Sequence, residues 1–462
     1  MLARVDSGIR LARGEVSPKL EERLRRALSY PNPAYLDRLR LGLSARGVPE
    51  RLCFFAEDGE GLRLPRGAIG TLKRLAAVDS AIVACEDHRV TPSERLPELP
   101  CPPLRPYQER AVDAMVRVTQ GTVVVPCGGG KTRIGIGATS RLRTPTLVLV
   151  HTLDLAEQWR SELKALLGVD ACLVGDGEVN TGPVTVALVQ ALTRRDRGWL
   201  DAFLGGFGLL LLDEAHHVAA QVFHELVDRC PAKHRFGLTA TPEREDGLSA
   251  LLELFLGPPV AELTHEELVA AGVLKLPEVR TVETSFAFPY ASAEDYARML
   301  DTLVRDGERN ALIADLVATE AAAGKLCLVL SGRVDHCEAL CSLIRVRGVH
   351  AELLTGSVKK DRRTELLNAA RAGSVPVLVA TTLADEGLDL PALSRVFLTY
   401  PGRARGRTLQ RLGRLMRTHP DKDDAVLFDF VDRKVPVLRR HHVERRRLYA
   451  EILGARPEGC AS

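Results

Sequence analysis

Short, continuous apolar runs recur along this chain with helix-length amphipathic segments between them, and that alternation constrains the fold of the 462 residues more than any other feature. The runs at 122–125, 146–150, 184–188, 209–212 and 236–238 offer almost nothing polar to solvent. A strand that is apolar throughout must be covered on both faces, which is the pattern of a parallel sheet with helices on either side. Residues 153–167 have the period of such a helix, and right-handed βαβ connections follow. The alternation restarts after residue 275, with runs at 326–330, 375–380, 396–399 and 425–428. The expected class is therefore α/β, with two tandem parallel-sheet domains and no detectable sequence repeat between them. Ahead of them, the Pro-rich stretch 96–106 reads as a linker. It sets off a small α+β accessory domain with helical periodicity at 20–28 and 35–43 and short apolar pieces at 52–55 and 81–85. The expected boundaries are 1–100, 101–273 and 274–462, the last ending in a basic helical tail.

Composition excludes several classes of function. With 45% hydrophobic and 27% charged residues this is ordinary soluble-protein composition. No apolar run approaches the roughly 18 residues of a membrane span, and the first fifteen residues have no hydrophobic segment of the signal type, so a cytoplasmic location is expected. The ten cysteines form no CxxC pair, which argues against a disulfide framework or a zinc site. Cys337 and Cys341 share a helix face and read as buried thiols. The net charge of +3 is unevenly spread: residues 1–100 carry 17 Lys/Arg against 14 Asp/Glu, whereas 402–447 carry 14 against 6. The second block suits a polyanion, although the part after 436 reads equally well as a solvated helix.

Two segments carry chemistry. In the first, an apolar strand enters Gly128-Gly129-Gly130-Lys131-Thr132 and a helix follows. Glycines let backbone N–H groups converge on phosphate oxygens at a helix N-terminus; Lys131 would pair with the β- and γ-phosphates and Thr132 would hold magnesium. The general phosphate-loop pattern asks for glycine at 125, where this chain has Val125. In the second, the run 209–212 ends in Asp213-Glu214-Ala215-His216. Adjacent carboxylates at a strand end can give one group to a metal and one to water: Asp213 to Mg2+, Glu214 to the nucleophile.

These residues resemble a superfamily 2 helicase with a DEAH box, and further motifs fall in the family's order between 104 and about 430. The resemblance implies that both sheets are RecA-like, that ATP and Mg2+ are bound, and that ATP is hydrolysed. It assigns coupling between ATP and nucleic acid to His216, Thr239 and Thr241, leaving His217 structural, and arginine fingers to Arg414 and Arg417 of a motif opened by Gln410. Gly387 and Asp389 lie in the motif that touches both ligands. Arg105 and Gln108 resemble the adenine-reading segment, since a Gln amide can pair with both N6 and N7 of adenine. Arg244-Glu245-Asp246 is similar to the Arg-Glu-Asp loop of the XPB branch, though the tripeptide also reads as a charged turn. Asp306, Arg309 and Asn310 resemble the layout of the XPB and UvsW-like group. Thr152, Gln190 and Thr381 are carried over as phosphate-backbone contacts, with His151 departing from the family's frequent proline.

The function expected is an ATP-dependent DNA helicase or translocase acting on duplex, forked or single-stranded DNA. An RNA helicase shares the same engine and differs in grip. A motor subunit of a restriction or defence assembly, or a non-hydrolysing nucleotide switch, is the third class. Lys131, Asp213, Glu214, Arg414 and Arg417 together argue for hydrolysis. The arginines at 23, 25, 26, 38, 40 and 46 give the N-terminal segment two readings, duplex binding or a packing module.

Overall fold

The computed structural model describes residues 1–40, 44–215, 221–240, 250–381, 390–401, 415–416, 418–420 and 422–453. By packing, the chain divides into two compact units: Met1–Val125 with Gly130–Leu263, and Pro126–Gly129 with the residues from Thr264 onward.

The first unit opens with β1 (Leu2–Val5), β2 (Gly8–Ala12), α1 (Pro18–Ala27), β3 (Ser29–Pro31), α2 (Pro33–Arg40), β4 (Arg51–Cys53), β5 (Ala56–Glu57), β6 (Gly61–Pro65), α3 (Ile69–Val78) and β7 (Ala84–Asp87). Five of these strands form a mixed sheet in the order β5-β6-β2-β1-β7. β1 and β2 alternate exposed and buried residues, so one face is apolar and the other is wet. α1 starts where Ser17 accepts from the Leu20 N–H, with Pro18 at its first position.

The same unit continues with α4 (Pro106–Arg117), β8 (Gln120–Val124), α5 (Lys131–Leu142), β9 (Thr146–Val150), α6 (Leu153–Leu167), β10 (Cys172–Gly175), β11 (Glu178–Val179), β12 (Val184–Leu188), α7 (Val189–Leu192), α8 (Arg197–Leu204), β13 (Leu209–Asp213), α9 (Gln221–Arg229), β14 (His234–Thr239), α10 (Ala250–Leu256) and β15 (Pro259–Glu262). Among the described residues the sheet has eight strands in the order β11-β10-β12-β9-β13-β14-β8-β15. Every pairing is parallel except β10 with β11. The all-apolar runs are its central strands, and β9 and β13 are buried at every position.

One core joins the two sheets. Ile9, Leu24, Leu64 and Leu72 belong to the same apolar cluster as Leu149, Leu210, Leu251 and Phe255. Buried Arg66 donates to Gln120 Oε1 and to the carbonyls of Ala232 and Lys233. Buried Arg235 of β14 donates back to the carbonyl of Ser7 and to those of Cys230 and Phe255. Burial, then the neighbouring Arg235, push the Arg66 pKa down. Gly67 lies so close to α10 that a Cβ there would come within 2.0 Å of the Glu253 carbonyl oxygen. The Pro-rich stretch is pinned as well, with the Leu96 N–H donating to Arg143 O and Ser140 Oγ to Pro100 O. Residues 96–106 thus mark a change of sheet while the core runs on.

The second unit contains α11 (His265–Ala270), β16 (Glu278–Glu283), α12 (Asp295–Val304), α13 (Gly307–Ala322), β17 (Cys327–Ser331), α14 (Val334–Val346), β18 (Ala351–Leu354), α15 (Lys360–Arg371), β19 (Val377–Thr381), β20 (Arg395–Leu398), β21 (Val426–Val431) and α16 (Pro436–Leu453). Its sheet is wholly parallel among the described residues, in the order β16-β21-β20-β17-β19-β18. Cys337 and Cys341 are buried on α14, as their spacing led one to expect. Among the described residues no helix is long and apolar enough to cross a membrane.

Candidate active site

Parallel strands bring their carboxyl ends to one edge, and in open α/β sheets that edge is where ligands bind. In the first unit β8, β14 and β13 are neighbours there, with Val124 paired to Thr239 and Leu238 to Asp213. The glycine turn, Thr239 and the acidic pair therefore leave from adjacent strand ends, although the acidic pair is 82 positions downstream of Lys131 at its nearest.

Gly128 and Gly130 have φ of 89° and 85°, a region other residues enter at a cost. Gly130 caps α5, and Lys131 is the first helical residue, so the N–H groups of the first turn lack intrahelical acceptors and face an anion favourably. A Cβ at Gly130 would come within 2.3 Å of Gln108 Nε2. Gln108 is buried and its Oε1 accepts from the Arg105 backbone N–H at 2.9 Å, closing the start of α4. The structure thus sets the Gln108 amide against the phosphate-loop turn, with Arg105 exposed beside it.

Lys131 Nζ lies 2.5 Å from Glu214 Oε1, with both side chains mostly buried. Asp213 is held differently: its Oδ2 accepts from Trp159 Nε1–H at 2.8 Å and its Oδ1 from the Glu214 N–H at 2.9 Å. Burial pushes the Asp213 pKa up, and Lys131 pulls the other way. Glu214 has φ of 49°, a left-handed conformation that costs of order 1–3 kcal/mol in a non-glycine residue and persists only where its surroundings enforce it. Two adjacent carboxylates consequently serve different partners.

This cradle fits a magnesium nucleotide. Thr132 is buried at the first turn of α5 beside Lys131, Asp213 is a buried carboxylate in need of a counter-charge, and Gln108 leaves no room for a side chain at Gly130. Among the described residues no group of three or more His, Cys, Asp or Glu could hold a metal alone. An ion held by Thr132 and Asp213 would take its remaining ligands from phosphates and water, as Mg2+ commonly does.

Trp159 carries no signal in the sequence, being 54 positions from Asp213. The clue is steric: a Cβ on Gly135 of α5 would come within 2.5 Å of the Trp159 ring, so Gly135 gives the indole its place.

The backbone-contact candidates lie at the same edges. Thr152 accepts from the Leu155 N–H and caps α6, and Gln190 Nε2 donates to the His151 carbonyl at 3.3 Å. In the second sheet Thr381 ends β19 opposite Ser331, and its Oγ1 is buried with no hydrogen-bond partner among the described residues.

Comparison with known proteins follows the same division. Residues 102–244 match the family described as type III restriction enzyme, res subunit, and 308–419 match the helicase conserved C-terminal domain. The chain is a member of superfamily 2 of the helicases. It is 32% identical over 345 residues to the DNA 3'-5' helicase XPB of Kineococcus radiotolerans, covering 71% of this chain and 60% of that protein. To the DNA 3'-5' translocase XPB2 of Sulfurisphaera tokodaii it is 29% identical over 366 residues, covering 71% and 81%. The chain thus spans about three fifths of the first relative. The Pyrococcus furiosus Hef helicase domain is similar in fold, with a TM-score of 0.50, 16% identity and coverage of 74% of this chain and 98% of that one.

Several residues that the family resemblance singled out lie outside the described residues: His216, Thr241, Arg244, Glu245, Asp246, Gly387, Asp389, Gln410, Arg414 and Arg417. The trio that suggested a subgroup turns out to hold the second unit together. Asp306 caps α13, Arg309 forms a fully buried pair with Asp432, and Asn310 bonds to His336.

Proposed function

We propose that this chain is an ATP-hydrolysing motor of the DEAH-box type that translocates on or unwinds DNA, in the branch that contains the XPB and UvsW-like proteins. The observation that carries this reading is the Lys131–Glu214 pair, at 2.5 Å, next to Asp213 and the glycine turn. A switch without hydrolysis would need the lysine and the turn; the strained second carboxylate is what hydrolysis adds.

In this reading Lys131 swings from Glu214 to the β- and γ-phosphates as nucleotide arrives, which frees Glu214 to orient and polarise the attacking water. Mg2+ held by Thr132 and Asp213 would neutralise charge on the phosphate oxygens. Trp159 keeps Asp213 in one rotamer, and Gln108 and Arg105 receive the adenine. Thr239, His216 and Thr241 couple the nucleotide to the strand, with Gly387, Asp389 and Gln410 also at the nucleotide and Arg414 and Arg417 as arginine fingers. Thr152, Gln190 and Thr381 hold the phosphate backbone, while Arg244, Glu245 and Asp246 act where strands part. Relatives named for 3'-5' DNA helicase and translocase activity support DNA as the track and 3' to 5' as the direction.

The test is ATP turnover with forked DNA, blunt duplex, single-stranded DNA and structured RNA. DNA should stimulate turnover and RNA should not. Stimulation by RNA alone would move the chain to RNA, and a lack of turnover under every condition would leave a nucleotide switch. Strand displacement from 3'- and 5'-tailed duplexes reads the direction.

A further inference from the structure

The basic run in α16 divides between two faces of the helix. Inward-facing Arg445, His442 and Tyr449 all bond to Asp429 of β21, with Arg445 Nη2 at 2.7 Å and His442 Nδ1 and the Tyr449 hydroxyl at 3.2 Å. Asp429 is fully buried, and this three-point anchor fixes α16 on its sheet. Arg439, Arg440, Arg446 and Arg447 are exposed on the other side. At spacings of i, i+1, i+7 and i+8 they make two pairs about 10 Å apart on one face. Glu444 is the one acid among the exposed residues of 433–447.

These four exposed arginines are left unneutralised. In the N-terminal segment part of the arginine charge is spent internally: Arg23 pairs with Asp79 at 2.8 Å, Arg25 with Glu21 at 2.6 Å and Arg4 with Glu86 at 3.2 Å. The four arginines of α16 form no ion pair among the described residues. Like charges held this close repel one another, and a polyanion relieves the repulsion.

Building on the DNA-motor reading above, we propose that the outward face of α16 grips the phosphate backbone of duplex DNA, adding to the contacts at the strand ends. Duplex DNA carries one negative charge per ~1.7 Å of axis, a rigid lattice suited to rigidly held cations. Unpaired strands are usually held by stacking on aromatic rings, and the exposed residues of 433–447 include none; Tyr449 is turned inward.

The test uses the full chain with Arg439, Arg440, Arg446 and Arg447 all changed to Gln, and a companion with all four changed to Lys. Affinity for a labelled blunt duplex is measured against salt, with a single strand in parallel and thermal melting as the fold control. The slope of log K against log salt should flatten by about 2 to 4 in the Gln variant, at roughly 0.9 for each phosphate no longer neutralised. The Lys variant should keep the slope, and single-strand affinity should change far less. An unchanged duplex slope overturns the proposal, as does an equal loss on single strands, or a Lys variant that falls with the Gln variant. Failure of the unaltered chain to bind DNA at all would instead overturn the motor reading beneath it.

Discussion

Lys131 and Glu214 touch each other, yet their removal should fail in different ways. Lys131→Ala takes away the cation the phosphates need, so nucleotide binding should weaken. Glu214→Gln leaves the cradle assembled without its base, so ATP should still bind while turnover falls roughly 10² to 10⁴-fold, the usual worth of a positioned general base. Equal loss of nucleotide binding in both variants would remove Glu214 from that role. Trp159→Phe keeps an aromatic ring in the core but deletes the N–H that holds Asp213, along with the indole edge that lies over Gly135. Loss of such an orienting partner typically costs 10- to 100-fold in metal affinity or activity. The magnesium concentration for half-maximal ATPase should rise by about that factor, with thermal melting shifted little; an unmoved magnesium dependence would make Trp159 a packing residue. These residues also show what a sequence can reveal at this scale. Lys131, Asp213 and Glu214 could be read directly because their residue types are the chemistry, on elements whose apolar period announces them. Trp159 could not, because an indole on an apolar helix face looks the same whether it fills space or holds a carboxylate.

Between elements, hydrogen-bond chains do what apolar contacts cannot, which is to fix one orientation. On α14, His336 Nε2 meets Asn310 Oδ1 of α13 and its Nδ1 meets Ser331 Oγ of β17, both at 2.9 Å. Because Asn310 Nδ2 donates to the Val304 carbonyl, Oδ1 faces the ring as an acceptor, which places a proton on Nε2. Burial holds the His336 pKa down to about 3, against about 6.5 in the unfolded chain. Below pH 6.5 the unfolded state therefore binds a proton that the folded state refuses, and stability falls as pH drops from about 6.5 to about 3. The loss should approach 1.4 kcal/mol per pH unit in that window. Urea midpoints measured at pH 7.5 and 5 should differ in the native protein by more than in His336→Gln; equal acid sensitivity would mean other groups control it. The all-apolar strands of both sheets and helix α6 could be read because burial on both faces leaves no alternation to confuse. β1, β2 and β6 were harder, since a strand with one wet face mixes arginines with leucines, and β16 is exposed or half-buried throughout. The α16 run was ambiguous for a related reason: charge counting cannot tell an arginine that anchors from one that faces solvent until the helical period assigns them.

Across the whole chain, the proline-rich stretch near residue 100 was legible as a boundary, but the core that crosses it was not. Leucines in the first hundred residues show that an apolar face exists without saying what covers it. The cover comes from β13, α9 and α10, and Arg66 and Arg235 reach across the join. Arg66→Ala should strand the Ala232 and Lys233 carbonyls, at about 1–3 kcal/mol for each buried group left unpaired, and so lower stability by several kcal/mol. Deleting residues 1–95 should give an insoluble product instead of a folded second sheet; a soluble, cooperatively melting truncation would show that the two sheets fold independently. The shared core also sets an order of events at the ribosome. The first hundred residues emerge with their apolar face uncovered, and the last part of the cover, Leu256, lies 190 positions beyond Arg66. At roughly 5–20 residues per second, the nascent segment waits about 10 to 40 s before its final partner is made, an interval in which a chaperone, and not the second sheet, must shield it.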